Sequence, residues 1–362
     1  MSETNGHPTN GGAPEAANGG GAATLTKKDF ASDQETRWCP GCGDYAILAT
    51  VQQYLPELGI PPQKIVFVAG IGCAGRFAYY MSTYGVHGIH GRAPALATGL
   101  ALARPDLSVW VVTGDGDSLS IGGNHLIHAL RRNVPINILL FNNQIYGLTK
   151  GQYSPTSEQG KVTKSTPFGS QDHPFNPVAL ALGADASFVA RTVDTDREHE
   201  TQVLRAASAQ PGSSFVEIYQ NCNVFNDGAF DAVRAKGKEA NQIRLVDGEP
   251  IRFGADGERG VVRAASGRLE IAEVSEVGEE VLVVHDADDP VLAYALARLA
   301  DRPTGPTPVG VFRASERPIY GDAISSELAE AREQVSETNL AALLRSGETW
   351  TIESTTGPEP AA

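Results

Sequence analysis

Four short apolar runs, alternating with stretches of helical spacing, constrain this chain more than any other feature. Residues 65–69, 109–113, 136–141 and 215–219 are almost wholly apolar and read as buried strands. The stretch 44–55 carries Ile47, Leu48, Val51 and Leu55 at helical spacing. Residues 94–103, 123–132 and 198–209 also read as helices. Strands buried on both faces and alternating with helices predict an α/β fold, a three-layer αβα arrangement around a mainly parallel sheet. Crossovers should be right-handed, with ligands at the carboxyl ends of the strands.

The two ends of the chain differ from this middle. Residues 1–24 contain no Val, Ile, Leu, Phe, Tyr or Trp, so 1–28 is expected to be a disordered tail. The main domain is expected over 29–230. Beyond Phe230, Gly- and Glu-rich stretches interrupt the apolar runs. Residues 231–362 therefore read as a C-terminal extension used in subunit contacts. A net charge of −14 argues against nucleic acid and anionic membrane surfaces as partners. No apolar run approaches the roughly 20 residues that span a bilayer, and no signal pattern opens the chain. A cytoplasmic protein is expected. Disulfides are rare there, so its four cysteines invite a metal or redox reading.

Gly114-Asp115-Gly116 follows one strand, and Asn142-Asn143 follows the next. One βαβ crossover separates them and can set Asp115 beside Asn143 at the carboxyl edge of neighbouring strands. Either half alone is an ordinary turn or loop start. Together they present a carboxylate and an amide oxygen to one point, which suits a hard cation such as Mg²⁺ with phosphate oxygens in its shell. The Ile145 carbonyl is a candidate third ligand. Gly114 and Gly116 allow backbone to approach a diphosphate. The helix start near Ser120–Gly123 offers N–H groups to an anion.

Cys39 and Cys42 sit in Cys-Pro-Gly-Cys-Gly, while Cys73 and Cys222 each follow a strand. Four thiolates can hold a [4Fe–4S] cluster or a tetrahedral Zn²⁺. The first pair alone reads as a zinc knuckle, but no second Cys-x-x-Cys follows at ribbon spacing. Four unrelated thiols are a further reading. His87, His90 and Arg92 lie in one Gly-rich loop. His125 and His128 share a helix face, where packed or surface histidines are the ordinary case. Lys150 lies in a Gly-flanked loop after Asn143, where a solvated lysine is the default.

Two resemblances bear on these alternatives. Gly114-Asp115-Gly116 with Asn142-Asn143 resembles the thiamine diphosphate motif of transketolase, pyruvate decarboxylase and 2-oxo acid oxidoreductases. It implies that the diphosphate belongs to thiamine, with Asp115, Asn143 and the Ile145 carbonyl on Mg²⁺. The ordered set Trp38–Asp44, Gly70-Ile71-Gly72-Cys73, His90-Gly91-Arg92-Ala93 and Gly147–Gln152 is similar to the beta subunit of 2-oxoacid:ferredoxin oxidoreductases, over about Trp38 to Phe230.

That resemblance implies one [4Fe–4S] cluster on Cys39, Cys42, Cys73 and Cys222. It also implies cofactor contacts from Gly72, His90, Gly114, Asp115, Gly116 and Asp117. His90, Arg92 and Lys150 would meet phosphate, substrate carboxylate or coenzyme A. The implied reaction is oxidative decarboxylation of a 2-oxo acid, with electrons passing to ferredoxin and the acyl group to coenzyme A. The implied assembly is an α2β2 heterotetramer, whose alpha subunit supplies the pyrimidine-binding half. The run Lys150–Ser157 looks most like the 2-oxoglutarate enzymes, with pyruvate the alternative substrate. A non-redox thiamine-dependent decarboxylase with structural zinc, and a zinc-ribbon module without catalysis, are the competing classes.

Overall fold

The computed structural model describes residues 24–301, 305–334 and 339–352. Of the expected tail, residues 1–23 lie outside the described residues. From there the chain packs at once: Lys27–Phe30 form a 3-10 turn and Phe30 is fully buried.

Eleven strands are described: β1 Ile65–Ala69, β2 Tyr84–His87, β3 Ser108–Gly114, β4 Asn137–Asn142, β5 Phe188–Val193, β6 Ser214–Tyr219, β7 Gln242–Leu245, β8 Arg252–Phe253, β9 Arg259–Arg263, β10 Leu269–Glu273 and β11 Thr307–Ala314. Eight form one sheet in the order β2-β1-β3-β4-β6-β5-β11-β7. Every pairing in it is parallel except β11 against β5. The remaining three form a small antiparallel sheet.

Helices α1 Asp44–Tyr54, α2 Ala93–Ala103, α3 Asp115–Leu119, α4 Gly123–Arg131, α5 Pro177–Gly183 and α6 Arg197–Ala209 link the central strands. The sheet is buried on both faces, which is why its strands read as continuous apolar runs. Val66, Val68, Val109 and Val111 join one core with residues of α2, α4 and α5. Phe67, Trp110 and Val112 join a second core with residues of α1 and α6. Successive side chains of a strand point to opposite faces, so neighbours in sequence serve different cores.

The boundary expected at residue 230 cuts through this sheet. Strands β7 and β11 lie beyond it, and the described residues up to Asp322 form one compact unit. Their sequences hid them. β11 carries Pro308 and Gly310, both poor strand residues, and β7 has only four residues. β5 was also illegible, because Arg191 interrupts its apolar run. Residues 323–362 form a second unit, whose described part contains the helix Leu340–Leu344 with no buried residue.

Candidate active site

Four neighbouring strands deliver the candidate residues to one edge. Cys73 follows β1, Asp115 follows β3, Asn143 follows β4 and Cys222 follows β6. Gly114 of β3 is in register with Phe141 of β4, so both strands end at the same level. Asp115 and Asn143 then line one cavity together with Gly72, Cys73, His90, Gly114, Gly116, Asp117, Ile145, Tyr146 and Asp44.

Asp115 is buried, and its Oδ2 accepts hydrogen bonds from Ser154 Oγ and Thr156 Oγ1, both at 2.5 Å. Burial still pushes its carboxyl up to about 6. A bound cation would reverse that penalty by favouring the charged form. Thr156 Oγ1 also lies 3.0 Å from Asn142 Oδ1, and Asn142 Nδ2 donates to Glu217 Oε1 at 2.7 Å. Asn143 is fixed at both ends of its amide. Its Nδ2 donates to Gln220 Oε1 at 2.8 Å, and its Oδ1 accepts from the Ile145 N–H at 3.2 Å. A carboxamide oxygen has a second lone pair, so one acceptor site remains.

Asp117 has a different environment. Its oxygens accept from the Ile71 N–H at 3.1 Å, the Gly91 N–H at 2.8 Å and Thr113 Oγ1 at 2.7 Å. The carboxylate therefore ties two loops to the end of β3 around the cavity. His90 Nδ1 comes within 2.7 Å of Asp117 Oδ1, at an angle that does not make a hydrogen bond. Gly116 is required by its neighbour: a Cβ there would lie 2.2 Å from the Tyr146 ring, whose hydroxyl donates to the Gly116 carbonyl at 2.9 Å.

The cysteines gather at the cavity's edge. A Cβ on Gly147 would sit 3.6 Å from both the Cys73 and Cys222 sulfurs. The segment after β6 brings in the other pair. Asn223 Nδ2 donates to the Pro40 carbonyl at 2.6 Å, the Gly43 N–H donates to the Asn221 carbonyl at 3.1 Å, and Gln220 Nε2 donates to Cys42 Sγ at 3.2 Å. Gly41 turns the loop with φ 83°, a conformation open to glycine. Burial pushes the Cys42 thiol up, and the Cys73 thiol up to about 12. No cysteine is in a disulfide. Among the described residues, no three His, Cys, Asp or Glu side chains close on a single ion.

Arg92 and Lys150 are not among the residues lining this cavity. Arg92 caps α2 and donates from Nη1 to the His90 carbonyl at 2.7 Å. Lys150 is exposed in a left-handed turn with φ 80°. His87 meets Tyr79 Oη at 2.9 Å. His125 and His128 lie on α4 away from this cavity. Sequence reasoning missed Ser154, Thr156, Asn142, Gln220 and Asp44. Ser154 and Thr156 belong to the run read for substrate likeness, and here they hold Asp115.

A family model described as the C-terminal TPP binding domain of thiamine pyrophosphate enzymes matches residues 70–218. The chain is 61% identical over 330 residues to the 2-oxoglutarate oxidoreductase subunit KorB of Mycobacterium tuberculosis, covering 90% of this chain and 88% of that one. It belongs to the beta subunits of the 2-oxoacid:ferredoxin oxidoreductases. This beta subunit is also 44% identical over 190 residues to 2-oxoacid:ferredoxin oxidoreductase 1, subunit beta, of Aeropyrum pernix, covering 52% of this chain and 60% of that one. A solved 2-oxoglutarate:ferredoxin oxidoreductase from Magnetococcus marinus, with 2-oxoglutarate, coenzyme A and succinyl-CoA bound, superposes with a TM-score of 0.72 at 31% identity. That match covers 90% of this chain and 97% of the solved one. Among the described residues of the beta subunit, no helix is long and apolar enough to cross a membrane.

Proposed function

We propose that this chain is the beta subunit of a cytoplasmic 2-oxoglutarate:ferredoxin oxidoreductase. The enzyme would convert 2-oxoglutarate and coenzyme A to succinyl-CoA and CO₂, with electrons leaving to ferredoxin. One observation carries the reading: a thiol of the four-cysteine group, Cys73, lines the same cavity as Asp115 and Asn143. The names of the relatives and the ligands of the structural neighbour support the substrate.

The residues fit the implied groups. Asp115, Asn143 and the Ile145 carbonyl would hold Mg²⁺ on the diphosphate, an oxygen set that suits this ion. Gly72, with φ 114°, places no atom in the space a Cβ would occupy, and so leaves room for the cofactor. Cys39, Cys42, Cys73 and Cys222 would hold one [4Fe–4S] cluster. When bound, thiamine diphosphate supplies an activated carbon for attack on a 2-oxo carbonyl, and the cluster supplies one-electron acceptance.

The chain itself orients and shields. Ser154 and Thr156 hold Asp115 in place, and Gln220 ties the Asn143 amide to the strand end that carries Cys222. Asp117 fixes the loops that bear Ile71 and His90. His90 would contact the cofactor from the cavity wall. Arg92 and Lys150 would meet anionic groups of substrate or coenzyme A at the mouth. The pyrimidine half of the site would come from an alpha subunit in an α2β2 assembly, with residues 231–362 in subunit contacts.

The test is anaerobic purification with the alpha subunit, followed by iron, sulfide and zinc analysis. Acceptor reduction is then measured with 2-oxoglutarate and with pyruvate. About four irons per beta chain and coenzyme-A-dependent reduction with 2-oxoglutarate are expected. A colourless zinc protein, or turnover confined to pyruvate, overturns the reading.

A further inference from the structure

Three carboxylates line the cavity, and they are not alike. Asp115 accepts from two hydroxyls, and Asp117 from two backbone N–H groups and a hydroxyl. Asp44 has only 1% of its surface exposed; no N–H or O–H donor reaches its carboxylate, and only the Cys42 thiol hydrogen-bonds to it. It opens α1 without capping it. The titratable groups coupled to it are the Cys42 and Cys73 thiols and the Asp194 carboxylate. Asp194 is already taken by Arg234, which donates to it at 2.6 and 2.9 Å. No cation offsets Asp44 in the described structure.

A metal-bound Cys42 thiolate would have no proton to give, and a buried carboxylate without donors or counter-charge is costly; a cationic ligand would offset that cost. The position of Asp44 narrows the ligand. It follows Cys42 by two residues and lines the cavity together with Cys73, which sets it at the cysteine end, whereas Ser154 and Thr156 hold Asp115. An anionic diphosphate belongs at the Asp115 end. The part of thiamine diphosphate that carries positive charge is its thiazolium ring.

We infer that Asp44 is a cofactor-binding residue of this site, its buried carboxylate facing the cationic ring of thiamine diphosphate at the end of the cavity next to Cys73. This rests on the thiamine reading above. It assigns the acid of Trp-Cys-Pro-Gly-Cys-Gly-Asp to ring recognition, separate from the metal-binding end.

The test uses the two-subunit enzyme, stripped of thiamine diphosphate with its iron retained. Dissociation constants are measured with Mg²⁺ for thiamine diphosphate and for an analogue with the same diphosphate and aminopyrimidine but an uncharged ring. Asp44→Asn should weaken thiamine diphosphate by about tenfold or more and change the uncharged analogue by less than about threefold. Equal changes for both ligands, or none, overturn the inference. If the variant loses iron, a wild-type structure with the cofactor bound decides. An Asp44 oxygen within about 4 Å of the ring, ion-pair range, upholds the inference, and a ring elsewhere overturns it. Failure of the wild type to bind thiamine diphosphate at all would instead sink the functional reading.

Discussion

The two flanks of the main sheet are built from the same kind of strand but treat polar groups in opposite ways. On the β1-β3-β4-β6 flank, buried polar residues stand past the strand ends and face a cavity. No N–H or O–H donor reaches Asp44 there, and Asp115 remains pushed up to about 6 despite two hydroxyl donors. On the β5-β11-β7 flank the buried charge of Arg191 lies within a strand and is satisfied across the boundary by Glu217 of β6. Arg191 Nε donates to Glu217 Oε2 at 2.7 Å, and the guanidinium lies over the rings of Tyr219 and Phe312. The second flank closes its buried charge with protein groups, whereas the first holds polar groups at a cavity. Glu217 joins them, since its other oxygen accepts from Asn142.

Substitutions should separate the flanks. The largest effect is expected for Asp115→Ala, which removes the carboxylate of the clamp. Mg²⁺-dependent thiamine diphosphate binding should fall by about a hundredfold or more, roughly 2.7 kcal/mol at 1.4 kcal/mol per decade. Unchanged affinity in a titration would take Asp115 out of the site. Cys222→Ser should strip cluster iron while the chain stays folded, and full iron retention would remove that residue from the ligand set.

On the opposite flank, Phe312→Ala should cost about 3–5 kcal/mol of unfolding free energy through cavity formation, with cofactor affinity unaltered. Phe312 is fully buried on β11. A loss of affinity as large as that of Asp115→Ala would erase the distinction between the flanks. Thr156→Val should have a smaller effect. It removes one charge-assisted donor from Asp115 and should weaken cofactor binding by roughly tenfold.

The gentlest probe is pH. Burial of His199, helped by the Arg244 charge, holds its imidazole down at about 4, below the usual 6.5. A depressed folded-state value means that the neutral ring supports the fold above 6.5, and that support is lost as pH falls towards 4. His199→Gln should flatten that limb of the stability profile. An unchanged slope would show that other groups govern it.

Much of the site was legible in sequence because its markers are local. Asp115, Asn143 and Cys73 each lie just past an apolar run, and such runs announce buried parallel strands by composition alone. Cys39 and Cys42 are carried by a short turn with Gly41 at its centre. What stayed hidden depends on pairing across long sequence separations. Arg191 made β5 look like loop until Glu217, 26 residues on, neutralised it. Pro308 and Gly310 hid β11 in the same way, and with it the fact that residues beyond 230 complete the main sheet.

The sequence by itself determined the parallel core, the order of its strands' functional ends and the chemistry of the donors, because burial on both faces and short motifs are written in consecutive residues. Only the tertiary structure decided which carboxylates are satisfied. Asp115, Asp117 and Asp44 are chemically identical side chains. Their difference comes from hydroxyls and N–H groups that folding brings to two of them and withholds from the third.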